Sequence, residues 1–153
     1  MKPHQDSLFL HTECVDMKPQ TPSLTVDIII LYHNQIVLIK RKNQPYQNCY
    51  AFPGGFVEIG ETVEQAAVRE AKEETGLDVT LTKLLDVYSD PRRDPRGHTV
   101  SITYLAEGAG ELKAATDAKE ASAFAPWEIP GNLAFDHNKM LQDAKKYIKL
   151  PKN

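Results

Sequence analysis

The stretch GGFVEIGETVEQAAVREAKEETGL, residues 54–77, holds one well-marked helix whose face changes character along its length. Thr62 is placed to cap the helix, with Gln65 as its capping-box partner. Gly76 suits the left-handed conformation that ends a helix. At about 100° per residue, Val63, Ala66, Ala67, Glu70, Glu73 and Glu74 fall within one ~120° arc. A face that begins as a small apolar stripe therefore continues as three carboxylates. Glutamates on a helix are ordinarily solvated. These share the interior arc, they repel one another at i, i+3 and i, i+4 spacing, and a Gly-Gly loop leads into them. By spacing, Arg69 and Lys72 lie on other sides of the helix and cannot cover all three. A hard divalent cation would balance such a cluster, because Mg²⁺ prefers carboxylate, water and phosphate oxygens. Through it the face could engage a phosphorylated substrate.

Outward from this helix the chain reads as strands. Residues 24–32 (LTVDIIILY) are β-rich, 33–35 (HNQ) a turn, and 36–42 (IVLIKRK) the returning strand. Residues 43–55 are broken by Pro45, Pro53, Gly54 and Gly55, which predicts a loop with short strand pieces. Residues 77–89 suit one or two strands, 90–98 (DPRRDPRGH) a charged loop, and 99–107 a strand. A polar connection at 108–122 leads to a short strand and turn at 123–130. A second helix is expected over 135–150, capped by Asp136, with Met140, Leu141, Ala144, Tyr147 and Ile148 on one face. Strands dominate and the two helices are separated. The expected class is α+β or α/β: a sandwich with a mixed sheet between helices.

At 153 residues the chain suits one domain, expected over 23–150, with 1–22 as an N-terminal arm or edge segment. The net charge of -3 and the lack of a basic run argue against a nucleic-acid footprint. Cys14 and Cys49 lack metal-site spacing and are expected to be reduced. No signal-peptide core and no membrane-length apolar run is found, so a cytoplasmic, membrane-free protein is expected.

Gly55, Glu61, Arg69, Glu70, Ala71, Glu73, Glu74, Gly76 and Leu77 occupy every defined position of the pattern G-x5-E-x7-R-E-U-x-E-E-x-G-U, where U is aliphatic or small and apolar. In this the chain resembles the Nudix hydrolases, and the strand order around the box resembles their α/β/α sandwich. The resemblance implies hydrolysis of a nucleoside diphosphate linked to another moiety. It implies Mg²⁺, with Mn²⁺ as the alternative, held by Glu70, Glu73 and Glu74 and the Gly55 carbonyl. It implies that Glu61 and Arg69 brace the loop–helix–loop, and that Gly55 and Gly76 serve its backbone geometry.

The substrate is read from the box's surroundings. Residues 88–106 (YSDPRRDPRGHTVSITYLA) and 117–137 resemble segments of microbial ADP-ribose pyrophosphatases, and Pro91 lies near where those enzymes carry a proline. A related stretch occurs in ADP-ribose-sensing regulator domains. The resemblance implies hydrolysis of ADP-ribose to AMP and ribose 5-phosphate. The alternatives are NADH or a nucleoside triphosphate as substrate, or a non-catalytic ADP-ribose sensor. An undamaged set of box glutamates favours the enzyme. Arg92, Arg93 and Arg96 offer planar donors to phosphate or adenine; otherwise they pair with Asp90 and Asp94 on a surface turn. Arg41 is a further phosphate candidate, or a solvated strand end. Glu70 and Glu120 compete for the role of general base, Glu120 from an expected loop. His98 is expected to hold its loop rather than act in catalysis, and His137 to start a helix. Tyr46, Tyr50 and Trp127 could stack on a base but read more simply as core. Related enzymes are often dimers, which makes a homodimer one expected assembly.

Overall fold

The computed structural model describes residues 18–113, 119–149 and 151–152. Cys14 and most of the expected N-terminal arm lie outside them.

Strand β1 (Ser23–Tyr32) is the spine of the sheet. It turns back into β2 (Gln35–Arg41) through His33 and Asn34, both at positive φ (50° and 59°), the twist that closes a two-residue hairpin. The same edge of β1 is taken further down by β4 (Gly54–Phe56), with Asp27 opposite Gly54. On its other edge β1 pairs in parallel with β6 (Thr99–Ala109). A parallel pair needs a crossover. Here α1 (Val63–Thr75) and β5 (Asp78–Tyr88) lie between the two strands in sequence. β3 (Tyr50–Ala51) and β7 (Lys119–Phe124) both pair with β2. Among the described residues the strand order is β3-β2-β1-β6-β5, in a mixed sheet of seven strands with β4 and β7 as side branches. β5 is the outer strand, and two irregularities in its register with β6 blunt that edge against further pairing.

Alternation along β1 builds two cores. Val26, Ile28 and Ile30 face α1, where Ala66, Ala67 and Ala71 let the helix approach closely. Ile29 faces α2 (His137–Ala144), packing with Met140, Leu141 and Ala144. Ile28, Ile29 and Ile30 are fully buried, worth roughly 1.5–3 kcal/mol each. The expected sandwich, a mixed sheet between two helices, is what the chain forms.

α1 has the expected ends. Thr62 and Gln65 form the reciprocal capping box, and Gly76 closes the helix at φ 76° with its N–H on the Lys72 carbonyl. Three expectations need correction. Residues 119–122, read as part of a polar connection, belong to β7, whose polar sequence is held by pairing with β2. α2 stops at Ala144 rather than 150: the Tyr147 N–H reaches back to the Ala144 carbonyl, tightening the last turn, while Ile148 still enters the core. Asp136 makes no side-chain cap on α2, because its carboxylate is turned to Arg93.

Candidate active site

The loop–helix–loop sets carboxylates against bare main chain. The Gly54 N–H donates to Glu74 Oε2 at 3.1 Å, and a side chain on Gly55 would strike the Glu70 carboxylate. Glu74 is buried and Glu70 nearly so, whereas Glu73 is half exposed at the rim. The acid face is therefore narrower than the arc drawn from spacing.

Arg69 covers part of the acid face. Its guanidinium bends round the helix and donates to Glu61 (3.0 and 2.6 Å), Glu70 (2.9 Å), Glu73 (3.2 Å) and the Phe56 carbonyl (3.1 Å). Arg69 thus covers two of the three box glutamates, because a long side chain reaches neighbours that its Cα position does not face, while Glu74 meets the Gly54 N–H instead. Lys72 lies outside the cluster, on Asp78 and the Gly76 carbonyl. The hydrogen bonds from Arg69, joined by one from the Glu58 backbone N–H, hold the Glu61 carboxyl down at about 2. The same pairing, led by Glu61, raises the Arg69 guanidinium above its ordinary value.

Glu70 and Glu74 form one wall of a cleft of about 400 Å³. Arg41 and Arg96 stand in it too, with Phe135 between them: their guanidinium carbons lie 4.9 and 5.7 Å from its ring centre. Phe135 is held at φ 53°, unusual for a side chain of this size. Arg96 is oriented by a two-point bond to Asp94 (3.1 and 2.8 Å), and Arg41 donates through Nε to the Pro45 carbonyl.

The other candidates are placed differently. Arg93 borders the cleft but is buried, giving Nε and Nη2 to Asp136 (2.9 and 2.8 Å) and Nη1 to Thr99 (2.8 Å). Burial opposes its charge, and Asp136 and Asp27 outweigh burial and raise its pKa. Arg92 is exposed outside the cleft and pairs with Asp90. Glu120 is exposed on β7 opposite Lys40 and does not line the cleft. His98 holds its loop through Ser89 O at 3.1 Å. Tyr50 packs on Phe124 against the core, while Trp127 and Tyr46 are exposed.

Sequence reasoning missed Asp27 and the burial of His137. Ser101 donates to Asp27 Oδ2, Arg93 Nη2 lies 3.8 Å from the same oxygen, and His137 Nε2 lies 3.4 Å from Oδ1. His137 starts α2 as expected, but it is buried and its Nδ1 accepts the Phe52 N–H at 3.0 Å. Burial pushes the Asp27 carboxyl up to about 7, against the pull of Ser101 and Arg93. Burial likewise pushes His137 down to about 3, so it stays neutral. The signal that could have found Asp27 is a single acid inside the apolar run TVDIIIL.

The acid wall offers only oxygen donors, which suits a hard divalent cation and not a soft one. Among the described residues no three His, Cys, Asp or Glu side chains form a ready cage. Glu70 and Glu73 are drawn instead toward Arg69. Among the described residues, too, no helix is long and apolar enough to cross a membrane.

A family model described as NUDIX domain matches residues 21–144. An ADP-ribose pyrophosphatase of Methanocaldococcus jannaschii is 55% identical over 127 residues, which are 82% of this chain and 75% of that protein. The ADPR responsive transcriptional repressor NtrR of Acinetobacter baylyi is 33% identical over 135 residues, 81% of this chain; the chain spans about half (53%) of the repressor's length. Among solved structures, a bifunctional NMN adenylyltransferase/ADP ribose pyrophosphatase of Francisella tularensis, complexed with AMP and an Mn ion, superposes with a TM-score of 0.71. It is 28% identical, over 82% of this chain and 42% of that one.

Proposed function

The chain belongs to the NUDIX domain family, and on that premise we propose that it is a divalent-metal-dependent pyrophosphatase that hydrolyses ADP-ribose to AMP and ribose 5-phosphate. The observation that carries this is one cleft with two unlike walls: carboxylates on Glu70 and Glu74, guanidiniums on Arg41 and Arg96. A diphosphate needs both, cations to bind it and acids to hold a metal against it. The 55% identity to a pyrophosphatase named for ADP-ribose supports that substrate. The AMP and Mn ion in the Francisella structure accord with that product and that kind of metal.

Arg41 and Arg96 grip the diphosphate oxygens, and Asp94 fixes the angle of the second guanidinium. Glu70, Glu73 and Glu74, with the Gly55 carbonyl, would hold Mg²⁺ or Mn²⁺. When bound, that ion neutralises phosphate charge and makes phosphorus easier to attack. Glu61 holds Arg69 in place, and Arg69 shares Glu70 and Glu73 with the metal site. A water oxygen attacks one phosphorus, the bridging P–O bond breaks, and Glu70 takes the water proton. Glu70 is preferred to Glu120 as base because it lines the cleft.

The similarity to an ADPR-responsive repressor favours a second reading, capture of ADP-ribose without turnover. Purified protein is given ADP-ribose, NADH, ADP-glucose and nucleoside triphosphates, with Mg²⁺ or a chelator, beside a Glu73→Gln/Glu74→Gln double variant. AMP release chiefly from ADP-ribose, lost in chelator and in the variant, is the expected result. Preference for another compound removes the substrate assignment, and tight binding with no turnover replaces the enzyme with the sensor.

A further inference from the structure

Asp27 is an acid in the middle of a buried apolar strand, and its two oxygens are treated unequally. Oδ2 accepts the Ser101 hydroxyl and faces Arg93. Oδ1 meets His137 Nε2 only at the long distance of 3.4 Å. That ring has its orientation fixed, since Nδ1 accepts the Phe52 N–H and the single proton must sit on Nε2, aimed at Oδ1. A carboxylate oxygen can accept two hydrogen bonds, so Oδ1 keeps capacity. Asp27 lines the cleft, and 12% of its side chain remains exposed. A side chain at Gly54 would put its Cβ 2.5 Å from Oδ1. Glycine there leaves the approach to that oxygen open. The Gly54 N–H is in turn bonded to Glu74, so Asp27 stands one residue's breadth from the acid wall.

We propose that Asp27 Oδ1, on the cleft floor between Gly54 and His137, is a substrate-binding group that accepts a hydrogen bond from a ribose hydroxyl next to the diphosphate. This rests on the ADP-ribose assignment. A sugar is the group joined directly to phosphate on either side, and a base lies one sugar further away. A buried carboxylate is well matched to a hydroxyl donor, and it favours ligands that carry one, because a ligand without it forgoes a hydrogen bond to a charged group. His137, Ser101 and Arg93 act as positioning residues for it.

Binding is measured by calorimetry in chelator, which separates it from turnover, and at about pH 8.5, where Asp27 is ionised. The ligands are ADP-ribose, ADP (no terminal ribose) and ADP-ribose with a 2′,3′-dideoxyadenosine half. Asp27→Ala should weaken ADP-ribose binding roughly 10- to 100-fold, the range for a hydrogen bond to a charged group. For the ligand that lacks the hydroxyl in question the loss should disappear, which identifies the ribose concerned. Asp27→Asn, which keeps the shape and a neutral acceptor, should fall between, with its thermal midpoint near that of the wild type; it also serves if the alanine variant does not fold. Equal loss for all three ligands, no loss for ADP-ribose, or no binding by the wild type overturns the assignment. Wild-type binding without cleavage once Mg²⁺ is restored overturns the enzymatic proposal alone.

Discussion

The cleft has two halves made in opposite ways. The α1 half comes from one continuous segment, in which the glycine loop, Glu61, Arg69 and the glutamates lie within 54–77. The α2 half is assembled from far apart: Asp27 on β1, Arg93 in the 90–98 loop, Ser101 on β6 and His137 at the start of α2. A contiguous segment carries its geometry in its spacing. A convergent cluster exists only after folding has brought its members together, so it leaves only isolated clues in the chain.

The contrast predicts different failures. In the α1 half, damage should strike turnover. Glu70→Gln should lower kcat roughly 10²- to 10⁴-fold, as loss of a general base does, with the thermal midpoint little changed; steady-state kinetics and a melting curve check both. In the α2 half, loss of the buried strut Arg93 should strike the fold. Arg93→Met strips the buried partner from Asp136 and Asp27, which should cost about 3–5 kcal/mol in denaturant unfolding. An Arg93→Met protein as stable as the wild type would erase the distinction.

The α2 half should also show in pH dependence. Asp27 keeps its proton in the folded protein up to about 7, against an ordinary 3.8, so its contribution to stability is lost as pH rises through that window. His137 refuses its proton down to about 3, against 6.5, so its contribution grows as pH rises from about 3 to 6.5. The two slopes oppose. Asp27→Asn removes the falling one, and urea unfolding at pH 4 to 7 should show the variant gaining on the wild type as pH rises. A variant that fails to gain on the wild type as pH rises contradicts the burial argument.

Smaller effects test the edges. Thr62→Ala deletes the capping-box hydroxyl and should cost about 1 kcal/mol in thermal or urea unfolding. Arg92→Ala and Glu120→Gln, outside the cleft, should leave kcat/KM within about two-fold, as exposed charges usually do.

The α1 half was legible almost to the residue, because capping, helical period and box spacing are local. What spacing could not convey is side-chain reach: Arg69 starts on another face and still spans Glu61, Glu70 and Glu73. Arg92, Arg93 and Arg96 looked equivalent in DPRRDPRGH. The fold separates them into an exposed pair, a buried strut and a cleft donor, according to which aspartate each meets. β7 was obscured because its residues are polar and owe their strand to β2, far away in sequence. Asp136 read as a cap from its position alone, and only the folded loop supplies the Arg93 that takes its carboxylate.

The most direct test of the two-walled cleft is a crystal structure of the Glu70→Gln protein with Mn²⁺ and ADP-ribose, recorded at a wavelength where manganese scatters anomalously. The account predicts an anomalous peak beside Glu74 and the Gly55 carbonyl, with the diphosphate between it and the Arg41 and Arg96 guanidiniums. A metal bound elsewhere, or a diphosphate that touches neither arginine, would contradict it.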